Sequence, residues 1–163
     1  MKILVIGQDP NLFNKNSESF KRVKKYASLF NEYHIISASP KGFKPLRENN
    51  LFLWPTDSRI KILRFFDLLI LSKKIIKKFK IDIIDAQDAG EFGLIAYILS
   101  RWFRLPFRIQ VHTDVFSPYF RGASLKERIR YYLAVFLIPK ADCLRVVSER
   151  IKNSIISHIA YRI

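Results

Sequence analysis

The chain has a single cysteine, Cys143, so it can build neither an internal disulfide framework nor a cysteine-based zinc site, and a reducing cytoplasm is its default setting. Glycine is scarce as well, five in 163 residues, and no Gly-x-Gly-x-x-Gly or Gly-Lys-Ser/Thr run occurs. The dinucleotide fingerprint and the phosphate-binding P-loop are both excluded. No apolar run approaches the roughly 20 residues of a membrane-spanning helix, and the opening Met1–Gly7 stretch stops too soon for a signal peptide. Negative charge is the other shortage: 14 acidic residues face 29 lysines and arginines, a formal charge of +15. Such an excess implies an anionic partner, whether nucleic acid, phosphorylated substrate or acidic membrane, and charge alone does not choose among them.

What is present is a chain with 49% hydrophobic residues, enough for one folded domain with a substantial core. Two stretches organise the rest, Ile81–Asp88 and Phe107–Asp114. Each is a β-branched apolar run that ends in a polar cluster, the pattern of a buried parallel strand whose carboxyl end emerges into a site. Ala89 to Pro106 joins them with Phe92, Leu94, Ile95, Ile98, Leu99 and Trp102 at helical spacing, as a βαβ crossover requires. Ligands of open α/β sheets bind outside the strands' carboxyl ends, so Gln87, Asp88, His112, Thr113 and Asp114 are expected to line one crevice.

In chain order, Lys2–Gly7 reads as a first buried strand, and Asn16 or Ser17 as the cap of a helix to about Asn31, whose amide groups favour anions. His34–Ser39 reads as a second strand with His34 at its start, away from the crevice. Pro40–Ser58 reads as an irregular connection with a short strand at Leu51–Leu53. Arg59–Lys80 reads as a helix with an apolar stripe that includes Ile62, Leu63, Phe66, Leu69, Ile70, Ile76 and Phe79. Its end carries Lys73, Lys74, Lys77, Lys78 and Lys80, either a solvated face or a contact with membrane or polyanion. Val115–Gly122 is an aromatic-rich loop. Ser124 caps a helix to about Ile138 with Glu127 at the capping-box position. Ala141–Ser148 reads as a buried strand holding an inert Cys143 and an Arg145 paired with a carboxylate. A last helix runs from Glu149 to about His158, a surface residue. The pattern predicts an α/β fold: a Rossmann-like, doubly wound, mostly parallel sheet.

Asp82–Asp88, the Gly90/Gly93 helix start, Val111-His-Thr-Asp114 and Ala141–Glu149, in that order, resemble the N-terminal half of family 4 glycosyltransferases, two-domain enzymes of the GT-B fold. The resemblance implies an acceptor-binding half, with residues 1–163 ending just short of the last strand of the N-terminal domain. The donor-binding half with its Glu-x7-Glu motif would then be missing, to be supplied in cis or in trans. It implies a nucleotide-diphosphate sugar as co-substrate, no tightly bound cofactor and no metal, and it places His112 near the transferred sugar with Asp114 beside it. Gly7, Asn16, Ser17, Gln87, Asp88, Thr113, Ser148 and Glu149 become candidate substrate contacts. Gly7 is followed by Gln-Asp-Pro where the family has a glycine-rich loop.

Two readings follow. In the first, the chain is the acceptor side of a hexosyltransferase acting on a glycan or lipid-linked acceptor, cytoplasmic and peripheral on the inner membrane face. In the second, it is a stand-alone binding module for anionic membrane or a partner protein, without catalysis. Nucleic acid ranks below both, because the basic residues are spread through helices rather than gathered into a reader motif.

Overall fold

The computed structural model describes residues 1–39, 41–60 and 63–160. Its centre is β1 (Lys2–Gly7), whose Ile3, Leu4, Val5 and Ile6 are buried on both faces, which is why the strand is continuously apolar. β1 pairs in parallel with β2 (Glu32–Ser37) on one side and β5 (Ile83–Ala86) on the other. β4 (Leu51–Pro55) lies beyond β2, and β6 (Phe107–Val111) and β7 (Cys143–Val146) lie beyond β5, all parallel. β3 (Leu46–Glu48) runs antiparallel along β4, giving the order β3-β4-β2-β1-β5-β6-β7. The chain moves outward from β1 to β2 and then returns past β1 to β5, so the order reverses between β1 and β5.

Two apolar layers hold the sheet. On one face Phe20, Val23 and Ala27 of α1 (Glu18–Ala27) cluster with Ile3, Val5, Ile35, Leu51 and Leu53. On the other, α2 (Arg64–Phe79), α3 (Glu91–Phe103), α5 (Leu125–Leu137) and α6 (Glu149–Ala160) join Leu4, Ile6, Ile84 and Ile109. The doubly wound α/β fold expected from the sequence is the one observed. Side-chain caps set the starts of α1 and α5: Ser17 Oγ accepts from the Phe20 amide and Ser124 Oγ from the Glu127 amide, both at 3.1 Å. Glu127 turns to Arg130 instead of back to Ser124, so only half of a capping box forms.

Several expectations are corrected. Residues 41–58 hold two strands: β4 extends beyond the predicted Leu51–Leu53, and β3 is a short edge strand that, among the described residues, pairs with β4 alone. The helix predicted from Arg59 starts at Arg64, and Ile62 lies outside the described residues, as does Ile163. Its apolar residues divide, with Leu68, Ile75 and Ile76 buried while Leu63, Phe66 and Ile70 face solvent, as does Trp102 of α3. The aromatic loop contains a short helix, α4 (Pro118–Ala123), with proline in its first turn. β7 is an edge strand, so Cys143 and Arg145 are exposed rather than buried. His158 is half-buried, stacked 4.0 Å from Phe116, not on open surface.

His34 lies within β2, fully buried and outside the crevice, stacked on Phe52 with ring centroids 4.4 Å apart. Trp54 Nε1–H donates to Nδ1 (3.3 Å), which assigns the neutral tautomer whose Nε2–H donates to Glu32 (3.0 Å). Burial holds the His34 pKa below its ordinary value, against the opposing pull of the Glu32 hydrogen bond. The unfolded chain therefore takes up a proton that the folded chain resists. Stability from this site is complete above about pH 6.5, the ordinary histidine value, and is lost as pH falls below it. Urea unfolding measured at descending pH below that value should show wild type losing stability faster than His34→Phe; parallel slopes would remove His34 from the linkage.

Candidate functional site

The carboxyl ends of β1, β5 and β6 open on the α1 side into a cavity of about 660 Å³, at the point where the strand order reverses. Register determines what reaches it. Ile6 pairs with Ala86 and Ala86 with Ile109, so the residues that follow each strand arrive at one level. Gln8 and Asp9 come from the first turn, Gln87 and Asp88 from the end of β5, and His112 and Thr113 from the end of β6. Gln87 lies across Gly7. A Cβ on Gly7 would fall 1.8 Å from Gln87 Oε1, so the glycine leaves room for the amide that lines the cavity. A Cβ on Gly93 would come within 2.8 Å of the Asp88 carbonyl oxygen, which lets α3 start hard against the same turn.

Asp88 shapes this turn: Oδ1 accepts the Gly90 amide at 2.8 Å and Oδ2 lies 3.9 Å from Arg130. His112 is exposed to the cavity and hydrogen-bonds no described residue, so both imidazole nitrogens are open to a ligand. Neither neighbouring aspartate orients it. Asp114 lies outside the cavity lining and accepts a hydrogen bond from Ser154 Oγ at 2.7 Å, tying the loop to α6. Tyr33, nearly buried in the wall, is pushed up to about 12, first by burial and then by the negative charge of Asp85. Its hydroxyl stays protonated and can donate but not act as a base.

The structure brings together Gly7, Gln87, Asp88, His112 and Thr113 and separates the other candidates from them. Asn16 is an exposed turn residue whose amide bonds Asn14. Ser17 Oγ is occupied by the Phe20 amide and the Asn11 carbonyl. Ser148 receives the Ile151 amide at the start of α6, and Glu149 pairs with Lys152 on its surface. Lys73, Lys74, Lys77 and Lys78 lie on α2, outside the cavity. Residues missed by sequence reasoning form the far wall: Gln110 of β6 and Arg145 of β7, with Arg22 and Tyr26 of α1. The available signal was the polar residue at alternate positions of otherwise apolar strands, Asp85, Arg108, Gln110 and Arg145. Among the described residues no group of three or more His, Cys, Asp or Glu side chains is placed to hold a metal ion.

Gly7→Ala should leave the fold intact, because the atoms in its way end a flexible side chain, while Gln87 is driven from the turn. The check is the Gln87 side-chain amide resonance, which should move while the β1 and β5 backbone amides stay in place. A global loss of dispersion would show that the close approach is needed for folding.

Residues 23–162 match the profile of Glycosyltransferase Family 4. No curated protein sequence matches the chain. Among solved structures it resembles sucrose-phosphate synthase from Thermosynechococcus elongatus, at 11% identity and TM-score 0.65, covering 88% of this chain and 42% of that one. It resembles the lipopolysaccharide outer core galactosyltransferase WaaB at 19% identity and TM-score 0.58, over 96% and 42%. UDP-GlcNAc 2-epimerase from Neisseria meningitidis, bound to UDP-GlcNAc, matches at 13% identity and TM-score 0.60, over 97% and 43%. At these identities the likeness is one of fold, and the chain spans about two fifths of each of these proteins. The profile match takes in β2 to α6 and every strand end that forms the cavity except that of β1, and on that ground the chain belongs to Glycosyltransferase Family 4.

Proposed function

We propose that this chain is the acceptor-binding half of a nucleotide-sugar-dependent glycosyltransferase that moves a hexosyl group to a glycan or lipid-linked acceptor. The observation that carries the reading is His112, with an unengaged imidazole at the carboxyl edge of the sheet, inside a cavity large enough for a sugar. The donor, a nucleotide-diphosphate sugar, is the co-substrate. Its binding half is supplied in cis or in trans, in keeping with the fraction of its structural relatives that the chain spans. In the transfer the bond from the anomeric carbon to the diphosphate breaks as the acceptor oxygen bonds that carbon, through an oxocarbenium-like state, and the acceptor's hydroxyl proton passes to the departing diphosphate. His112 hydrogen-bonds the transferred sugar, and Gln87 and Thr113 hold the acceptor beside it. In a two-domain enzyme carrying both halves, His112→Ala should lower turnover on the order of 10²-fold or more. Wild-type turnover would remove His112 from the reaction.

A specific observation also favours docking on an anionic membrane, with the chain peripheral on the inner face. Along α5, Leu125, Ile129, Tyr132 and Phe136 repeat at helical spacing and are 46–74% exposed. α2 packs on α3 and α3 on α5, all against the same core, so the outward Phe66 and Ile70 of α2 share that side. Lys73 lies 3.9 Å over Trp102 and Lys140 lies 4.2 Å over Phe136, so cations border the apolar residues. This is the composition of an interfacial surface. Among the described residues no helix is long and apolar enough to cross a membrane. The protein should bind phosphatidylglycerol-containing vesicles at low salt, and Lys74→Gln and Lys77→Gln should each weaken binding by about 1 kcal/mol. Equal partition to neutral vesicles would sink the electrostatic contribution.

A further inference from the structure

We propose that Arg145 and Arg22 form a subsite for a phosphate group carried by the acceptor. Arg145 projects from the edge strand β7 into the cavity wall and has no carboxylate partner among the described residues. Its Nη1 donates instead to Gln110 Oε1 at 3.2 Å. Gln110 is 6% exposed and its Nε2 donates to Asp85 at 2.7 Å, so its amide is held in one orientation. The charge of Asp85 is already matched by Arg108, which bonds both carboxylate oxygens at 3.1 and 2.5 Å. Arg145 therefore meets only the neutral end of this network, and its own charge is uncompensated.

The rest of that wall has the same bias. The Arg145 guanidinium lies 5.7 Å from the Tyr26 ring centroid, and Arg22 stands one helical turn before Tyr26 on the same face of α1. Arg22 also lines the cavity without a carboxylate partner among the described residues. The carboxylates that line the cavity are occupied elsewhere, Asp9 by the Asn11 amide and Asp88 by the Gly90 amide and Arg130. A pair of uncompensated guanidiniums, one held by a buried amide and an aromatic ring, matches a dianion that takes forked hydrogen bonds. Assigning the phosphate to the acceptor rests on the reading of the crevice as a glycosyl-acceptor site; phosphate binding itself does not.

The test is titration of the 163-residue chain with inorganic phosphate, glucose 1-phosphate and glucose, followed by the arginine Nε–H resonances. The expected result is saturable shifts of Arg145 and Arg22 with both phosphates and none with glucose. Arg145→Gln and Arg22→Gln, both at exposed positions, should each weaken binding about tenfold. Lys24→Gln, on the same helix but paired with Glu48 and outside the cavity, should leave the midpoint unchanged. Linear, unsaturable shifts, or equal weakening by Lys24→Gln, would mean diffuse charge and overturn the proposal. Competition by phosphatidic acid vesicles supports it with a lipid phosphate as the source, and competition by glucose 1-phosphate alone supports it with a soluble one. Displacement by UDP in preference to both would reassign the site to the donor and overturn the acceptor assignment. In a two-domain enzyme, a turnover loss in His112→Ala with unchanged acceptor KM in Arg145→Gln would overturn this inference and keep the crevice. Saturable phosphate binding with wild-type turnover in His112→Ala would do the reverse.

Discussion

Asp85 is a carboxylate with no solvent exposure in the middle of a parallel sheet, and much of the site depends on how its charge is met. Left unpaired, a buried charge costs several kcal/mol, so the neighbouring strands must supply partners. Arg108 forks onto it from one position of β6 and Gln110 donates from the next position on the same face. Alternation sends the intervening residues, Phe107, Ile109 and Val111, into the opposite core. One buried charge thus gives the carboxyl half of the sheet a polar side and an apolar side. The cavity forms where α1 leaves the polar side uncovered.

Close backbone approach supplies the other condition. Gly7 and Gly93 permit contacts at the turn after β5 that a Cβ would block, and the Asp88 carboxylate fastens the turn to the start of α3. The turn is thus determined by short-range contacts within β1, β5 and α3. His112 differs, since nothing described holds its ring. A rigid rim with one unengaged imidazole suits a group that acts on a ligand rather than on the scaffold.

The parallel strands were legible because burial on both faces leaves a continuous apolar run that ends in polar residues, as at Ile81–Asp88 and Phe107–Asp114. Two kinds of residue were not. Cys143 and Arg145 read as buried because β7 is apolar enough to be central, and its edge position depends on pairing over long range that local pattern does not contain. Phe66, Ile70 and Trp102 read as core because helical spacing shows that residues share a face, not which way the face points. Asp114 illustrates the same limit at the site: it follows His112 closely in sequence, yet Ser154, 40 residues on, takes its carboxylate.

Of the cations behind the net charge of +15, two groups stand in environments that respond differently to salt. The lysines of α2 stand on an open helical face, where screening over a Debye length of about 8 Å at physiological ionic strength removes most long-range attraction. Arg145 is anchored to a buried amide inside a concave wall, where field lines concentrate and direct hydrogen bonds outlast screening. The proposed attraction to a surface and the proposed recognition of a phosphate therefore draw on different cations of one chain. If both operate, added salt separates them, weakening the helical face before the cavity.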